Sequence, residues 1–142
     1  MKAHKILIVD DYPNMVEMLS IRLTAAGFEV VTSFDGIDAL QKARVHKPDL
    51  ILLDVLLPKM DGFKVCRLLK FDEKYRHIPI IMLTSRARDV DRATGMEMGV
   101  NAYMIKPYDS AVLMAKIYEL LKVGLIGAAA LTQHQATIAD AV

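Results

Sequence analysis

Residues 6–11 read ILIVDD, four consecutive apolar side chains running straight into two carboxylates. A run that short and that apolar, closed by polar residues, fits a strand covered on both faces. The arrangement recurs three times. Leu50–Leu53 runs into Asp54, Ile80–Leu83 into Thr84-Ser85, and Ala102–Ile105 into Lys106-Pro107. The five strand candidates are Lys5–Val9, Glu29–Thr32, Leu50–Leu53, Ile80–Leu83 and Ala102–Ile105. Four are solid apolar runs, whereas Glu29–Thr32 is shorter and more polar, as suits a peripheral strand.

Helix-period segments lie between them. Pro13 is placed for a first helical turn, and Val16, Leu19, Leu23 and Ala26 keep one face until Gly27 stops the helix. Asp35 reads as the N-cap of Ile37–Val45, with Pro48 closing that segment. Asp61-Gly62 precedes Phe63–Lys70, Asp89–Met98 ends at Gly99, and Ser110–Lys122 ends at Gly124. Five βα units in succession predict an α/β fold with a parallel sheet and right-handed crossovers.

Composition narrows the function. The 142 residues are 54% hydrophobic and 25% charged, which fits one domain with one core and excludes a disordered chain. Eighteen basic residues against seventeen acidic ones give a net charge of +1, without the basic surplus of a nucleic-acid binder. Cys66 is the only cysteine, so no disulfide framework or cysteine-based zinc site is expected. No apolar run reaches the roughly 18–20 residues of a membrane span, and Ile6–Val9 is too short for a signal-peptide core. These features predict a soluble cytoplasmic domain without membrane insertion.

All strand C-termini of a parallel sheet share one edge, and ligands of open α/β sheets bind there. Asp10, Asp11, Asp54, Thr84 and Lys106 are therefore expected on one rim. Two unit charges about 5 Å apart repel by about 3 kcal/mol even at an effective dielectric of ~20. Three clustered carboxylates thus require a retained proton or a cation. All-oxygen ligands with room for water favour Mg²⁺. With Lys106 and the Thr84 hydroxyl beside it, that cation would form a receptor for a phosphoryl group. No Ser–His–Asp arrangement or glycine-rich phosphate cradle competes with this reading. Asp54-Val55-Leu56 also lacks the second aspartate of a haloacid-dehalogenase-type phosphatase.

The pieces ILIVDD at 6–11, LILLDVLLPKMDG at 50–62, MLTSRA at 82–87 and NAYMIKPY at 101–108 match in order and spacing a known family. Over residues 4–123 the chain resembles the receiver domains of two-component response regulators, of the single-domain, chemotaxis-regulator-like type. The resemblance implies a doubly wound, flavodoxin-like (βα)5 fold with strand order 2-1-3-4-5. It implies that Asp54 is the phosphoacceptor and that Asp11 and Asp54 hold Mg²⁺, with Asp10 close by or acting through water. The backbone carbonyl of Leu56 would complete the protein ligands. Lys106 would pair with the phosphoryl oxygens, and the Lys106–Pro107 bond would be cis. Thr84 and Tyr103 would form a switch pair that reshapes the surface of Asp89–Met98, Ala102–Ile105 and Ser110–Lys122. The donor would be a sensor histidine kinase or histidine phosphotransfer protein, docking near Pro13, Asn14, Glu17 and Arg22. Such a domain catalyses only its own phosphorylation and dephosphorylation.

Taken singly, these residues have duller readings. An aspartate after a strand is commonly a helix cap, Thr84 alone could be one, and Tyr103 alone is a half-buried aromatic. Cys66, at helical spacing among Val65, Leu68 and Leu69, reads as packing. Met15, Met18, Met96, Met98 and Met104 read as core or helix-face residues, and 72–77 as a solvated loop. His4, His46, His77 and His134 have no metal-ligand spacing.

Two departures from the family's pattern carry expectations. Leu56 and Arg86 stand where side chains flank the phosphoryl group. Leucine cannot orient an attacking water, and Arg86 can either lie over the phosphoryl oxygens or block the water's approach, so a long-lived acyl phosphate is expected. Ala102, Val112 and Lys116 occupy positions where winged-helix transcription factors of the family carry a salt-bridge network. With no output segment after residue 123, a domain acting on a downstream protein target is preferred, without direct nucleic-acid binding and with a phosphorylation-dependent dimer left open. Residues 124–142, with six alanines, two glycines and one charged residue, read as a tail, linker stub or cloning remnant, or as a docking segment through Leu125, Ile126 and Leu131. Two other readings stand beside this one. They are the receiver part of a larger transcription factor or signalling enzyme, and a phosphorylation-independent interaction module.

Overall fold

Each of the apolar runs forms a strand, and each strand is followed by a helix wherever the intervening chain is described. The computed structural model describes residues 3–85 and 99–122. In chain order these are β1 (Lys5–Val9), α1 (Pro13–Ala25), β2 (Glu29–Ser33), α2 (Gly36–His46), β3 (Leu50–Asp54), α3 (Gly62–Lys70), β4 (Ile80–Thr84), β5 (Ala102–Ile105) and α4 (Ser110–Leu121). The helix expected over Asp89–Met98, Arg86 and the tail at 124–142 lie outside the described residues.

The sheet is parallel throughout, in order β2-β1-β3-β4-β5. The chain divides into one unit ending at Lys106, which holds the whole sheet, and a second beginning at Pro107. In the first unit, alternation along the strands sends successive side chains to opposite faces. Leu7, Val9, Ile51, Leu53, Ile80 and Met82 join Ala39, Leu40 and Ala43 of α2 and Val65, Cys66 and Leu69 of α3 in one buried cluster. Ile6, Ile8, Leu50, Leu52, Ile81 and Leu83 are equally buried and point the other way. There α1, packed on β1 and β2, turns Val16, Leu19 and Leu23 inward. Each such side chain contributes roughly 1.5–3 kcal/mol by leaving water. Ala26, expected on that face, is exposed, because α1 ends at Ala25 and the chain turns away through Gly27 at φ 96°.

Polar residues extend three strands beyond the apolar runs. Ser33, Asp54 and Thr84 are the last residues of β2, β3 and β4, since the backbone ladder continues where the apolar side chains stop. One expectation fails. β5 is not covered on both faces but is half-buried, with Ile105 45% exposed, because it is an edge strand with one neighbour.

Capping follows the sequence. Asp35 Oδ1 accepts from the Asp38 amide (2.8 Å) at α2, and Asp61 Oδ1 accepts from the Lys64 amide (3.0 Å) at α3. In the second unit Asp109 Oδ1 accepts from the Ala111 amide (2.8 Å), and α4 buries Leu113 and Ile117 one turn apart.

Candidate functional site

Among the described residues the buried polar or charged ones are Asp10, Ser33, Asp54 and Thr84. Every one lies at the C-terminal end of a strand, on the same edge of the sheet. Nothing in helix or strand formation asks for polarity there, and burying it carries a cost unless partners are supplied.

Partners are supplied. The Asp10 amide donates to the Ser33 carbonyl (3.2 Å), carrying the β1–β2 ladder one step further. Asp10 Oδ1 accepts from the Tyr12 amide (3.0 Å), which fixes the plane of the carboxylate. Its Oδ2 accepts from Lys106 Nζ at 2.7 Å. Lys106 is held in reach by its own backbone, whose amide donates to the Thr84 carbonyl (2.7 Å) just past the β4–β5 ladder. From there Nζ lies 3.8 Å from Asp54 Oδ2.

Asp10, Asp11 and Asp54 each offer a carboxylate oxygen, all within 4.8 Å of one another, with Asp11 exposed and the other two buried. Burial pushes the Asp54 carboxyl up to about 6. The Lys106 ammonium opposes that rise, the Asp10 charge adds to it, a backbone hydrogen bond from Val55 opposes it, and Asp11 adds a smaller push. Among the described residues one lysine faces three acids, so ionising all of them leaves that cluster with net negative charge. A hard divalent cation fits this donor set of three carboxylates, which is the ligand chemistry of Mg²⁺.

The other expected residues occupy different settings. Leu56 follows β3 on the loop to α3, with its side chain 44% exposed. Thr84 is fully buried. Tyr103 is half-buried and packs against the core cluster shared by α2 and α3. It pairs in register with Met82, and Thr84 stands two residues beyond Met82, so Thr84 and Tyr103 share a sheet face. Cys66 is buried in the core, where burial pushes its thiol up to about 11. Met18 is 65% exposed on α1.

Sequence reasoning missed Ser33, whose hydroxyl lies 2.7 Å from Asp38 Oδ2 and 3.1 Å from the Asp35 carbonyl. It also missed the close approaches at Gly36 and Gly62. The one available signal was a glycine directly after each of the helix caps Asp35 and Asp61.

The profile of the response regulator receiver domain matches residues 6–118, and the chain belongs to that family of signalling phosphoacceptor domains, which work in two-component systems. Such domains interact with histidine kinases or phosphotransfer proteins and bind Mg²⁺ at an acidic pocket. The alkaline phosphatase synthesis transcriptional regulatory protein PhoP of Bacillus subtilis is 42% identical over 118 residues, which are 83% of this chain and 48% of that protein. The response regulator PleD of Caulobacter vibrioides is 43% identical over 122 residues, 86% of this chain and 27% of that protein. This chain therefore spans less than half the length of either. The receiver domain of the sensor histidine kinase PA1611 of Pseudomonas aeruginosa, solved with a magnesium ion in its active-site cleft, superposes with a TM-score of 0.77 at 32% identity, covering 85% of this chain and 99% of that one. Among the described residues, no helix is long and apolar enough to cross a membrane.

Proposed function

We propose that this chain, over residues 1–123, receives a phosphoryl group on Asp54 in a Mg²⁺-dependent reaction and thereby alters its contacts with protein partners. The observation that carries the reading is the convergence of Asp10, Asp11 and Asp54 within 4.8 Å, with Lys106 Nζ between Asp10 and Asp54. Asp10, Asp11 and Asp54, with the Leu56 carbonyl, would hold the cation. When bound, Mg²⁺ supplies positive charge to the oxygens of the transferring phosphoryl group.

The chain's own residues account for the rest. An Asp54 carboxylate oxygen attacks phosphorus. The new P–O bond forms as the donor's P–N bond (phosphohistidine) or P–O bond (small acyl phosphate) breaks, and the donor leaves with the electron pair. Lys106 Nζ, already 3.8 Å from Asp54, turns to the phosphoryl oxygens and donates there. Hydrolysis reverses the modification when a water oxygen attacks phosphorus and the bond to Asp54 breaks. The Leu56 side chain has no group to orient or deprotonate that water, which supports slow loss. Thr84 and Tyr103, on one sheet face, carry the switch, with the Thr84 hydroxyl moving to the phosphoryl group and the Tyr103 ring moving inward. Histidine kinases or phosphotransfer proteins are the donors, and the near-neutral charge supports a protein target in the cytoplasm.

A second reading is favoured by the greater length of the related regulators. In it these residues are the receiver part of a regulator whose output is DNA binding or an enzyme.

Intact-mass analysis after incubation with Mg²⁺ and acetyl phosphate tests the reading. The expected result is one phosphoryl adduct on wild type, prevented by prior EDTA and absent from Asp54→Asn. An adduct that persists in Asp54→Asn contradicts it.

A further inference from the structure

The loop from Val55 to Asp61, which includes Leu56, follows directly on Asp54, and it is pinned along its length. At its ends, the Gly62 amide donates to the Val55 carbonyl (2.8 Å). A Cβ on Gly62 would overlap the Asp54 carbonyl oxygen and lie 3.0 Å from its carbon. At its centre, the Pro58 carbonyl accepts from Met60 (2.7 Å), closing a three-residue turn, and also from Gly36 (3.1 Å). Lys59, between them, sits at φ 69°, a left-handed conformation that a lysine keeps only when its surroundings impose it.

Those surroundings are the start of α2. Lys59 Nζ lies 3.7 Å from Asp35 Oδ2, the same residue that caps α2. The Met60 carbonyl presses against Gly36 so closely that a Cβ there would overlap its oxygen and stand 2.7 Å from its carbon. Gly36 has no need of glycine for its own backbone, because the positive-φ glycines among the described residues are Gly27 and Gly99. What requires glycine at 36 is the space that the loop occupies.

We propose that Gly36 is a positioning residue for the chemistry at Asp54. By lacking a side chain, it lets the N-terminus of α2 clamp the β3–α3 loop and preset the Leu56 carbonyl before any cation arrives. This rests on the Mg²⁺-binding reading given above. A methyl group at 36 must push the Met60 carbonyl away and move the loop, while Asp10, Asp11, Asp54 and Lys106 stay untouched. Supporting groups of this kind are commonly worth 10–100-fold in metal affinity.

Calorimetric titration of the full chain with Mg²⁺ tests it, comparing wild type with Gly36→Ala and Gly27→Ala. Gly27 has φ 96° and open space around it, so alanine there strains the fold away from the loop. The expected result is about tenfold weaker binding in Gly36→Ala and unchanged affinity with a lower Tm in Gly27→Ala. Folded Gly36→Ala with wild-type affinity overturns the proposal. Should Gly36→Ala fail to fold, amide exchange in the metal-free wild type decides. Slow exchange at Gly36, Met60 and Gly62, unaffected by Mg²⁺, is expected, and fast exchange that slows only on adding Mg²⁺ overturns the clamp. Wild type that binds no Mg²⁺ at all would sink the functional reading instead, leaving the clamp to stand or fall on the exchange data.

Discussion

Lys106 Nζ is 2.7 Å from Asp10 Oδ2 and 3.8 Å from Asp54 Oδ2, so the ammonium pairs with the acid after β1 and stands off from the acid ending β3. The lysine thus occupies part of the charge deficit that a divalent cation would fill. Its side chain and that of Asp10 are largely buried, where such a pair is screened far less than at the surface.

Cation and lysine therefore compete for Asp10. Lys106→Met is expected to bind Mg²⁺ several-fold more tightly in calorimetric titration, while acquiring the phosphoryl adduct at least about tenfold more slowly for want of the donor to its oxygens. Weaker Mg²⁺ binding in this variant would show that Lys106 supports the cation site instead of competing for it.

The Asp54 carboxyl, raised to about 6 from 3.8 chiefly by burial, makes stability depend on pH in the metal-free protein. The folded state holds this proton more tightly than the unfolded chain, so its contribution is complete below about pH 4 and is lost as pH rises through about 6. With EDTA present, wild type should lose about 1–2 kcal/mol relative to Asp54→Asn between pH 4.5 and 7.5, a figure reduced for solvent screening. Urea unfolding at the two pH values measures this, and parallel profiles would refute it. Mg²⁺ should remove most of the difference.

At the other end of the sheet, Lys70 Nζ donates to the Ile78 carbonyl (2.7 Å), Asn101 Oδ1 (3.0 Å) and the Arg76 carbonyl (3.2 Å). Asn101 Oδ1 also accepts from the Ile80 amide (2.9 Å), tying the start of β4 to the start of β5. Asn101→Ala removes the acceptor for a buried amide and should cost about 1–2 kcal/mol in urea unfolding. A loss below about 0.5 kcal/mol, as at an ordinary surface position, would show that the tie is dispensable.

Leu56 supplies no group to orient water, and Arg86, which lies outside the described residues, is expected to obstruct its approach. Leu56→Asn and Arg86→Ala should each lose the acyl phosphate several-fold faster than wild type in a time course of intact mass. Unchanged or slower decay in both would reject rate control by these positions.

Much of this was legible in the order of residues, for a physical reason. A strand buried on both faces must be apolar almost without break, so ILIV, LILL and IIML announced themselves, and Asp10, Asp54 and Thr84 stood out as polar residues directly after them. What stayed hidden depends on packing across long separations. The separation of 96 positions between Asp10 and Lys106 gives no hint that the ammonium pairs with Asp10 more closely than with Asp54. Ala102–Ile105 is as apolar as a central strand, so its place at an edge was legible only through the family's strand order, because a run of side chains does not record how many neighbours its backbone finds. Gly36 reads as an unremarkable helix start, since the carbonyl that needs its space belongs to Met60, 24 positions away.

The most direct test locates the modification. After incubation with Mg²⁺ and acetyl phosphate, borohydride reduces an aspartyl phosphate to homoserine, and peptide mass mapping reads which residue changed. The expected result is conversion at Asp54, dependent on Mg²⁺ and undetected at Asp10 or Asp11. Conversion at Asp10 or Asp11, or a phosphoryl adduct that borohydride leaves intact, would contradict the assignment of Asp54 as the acceptor.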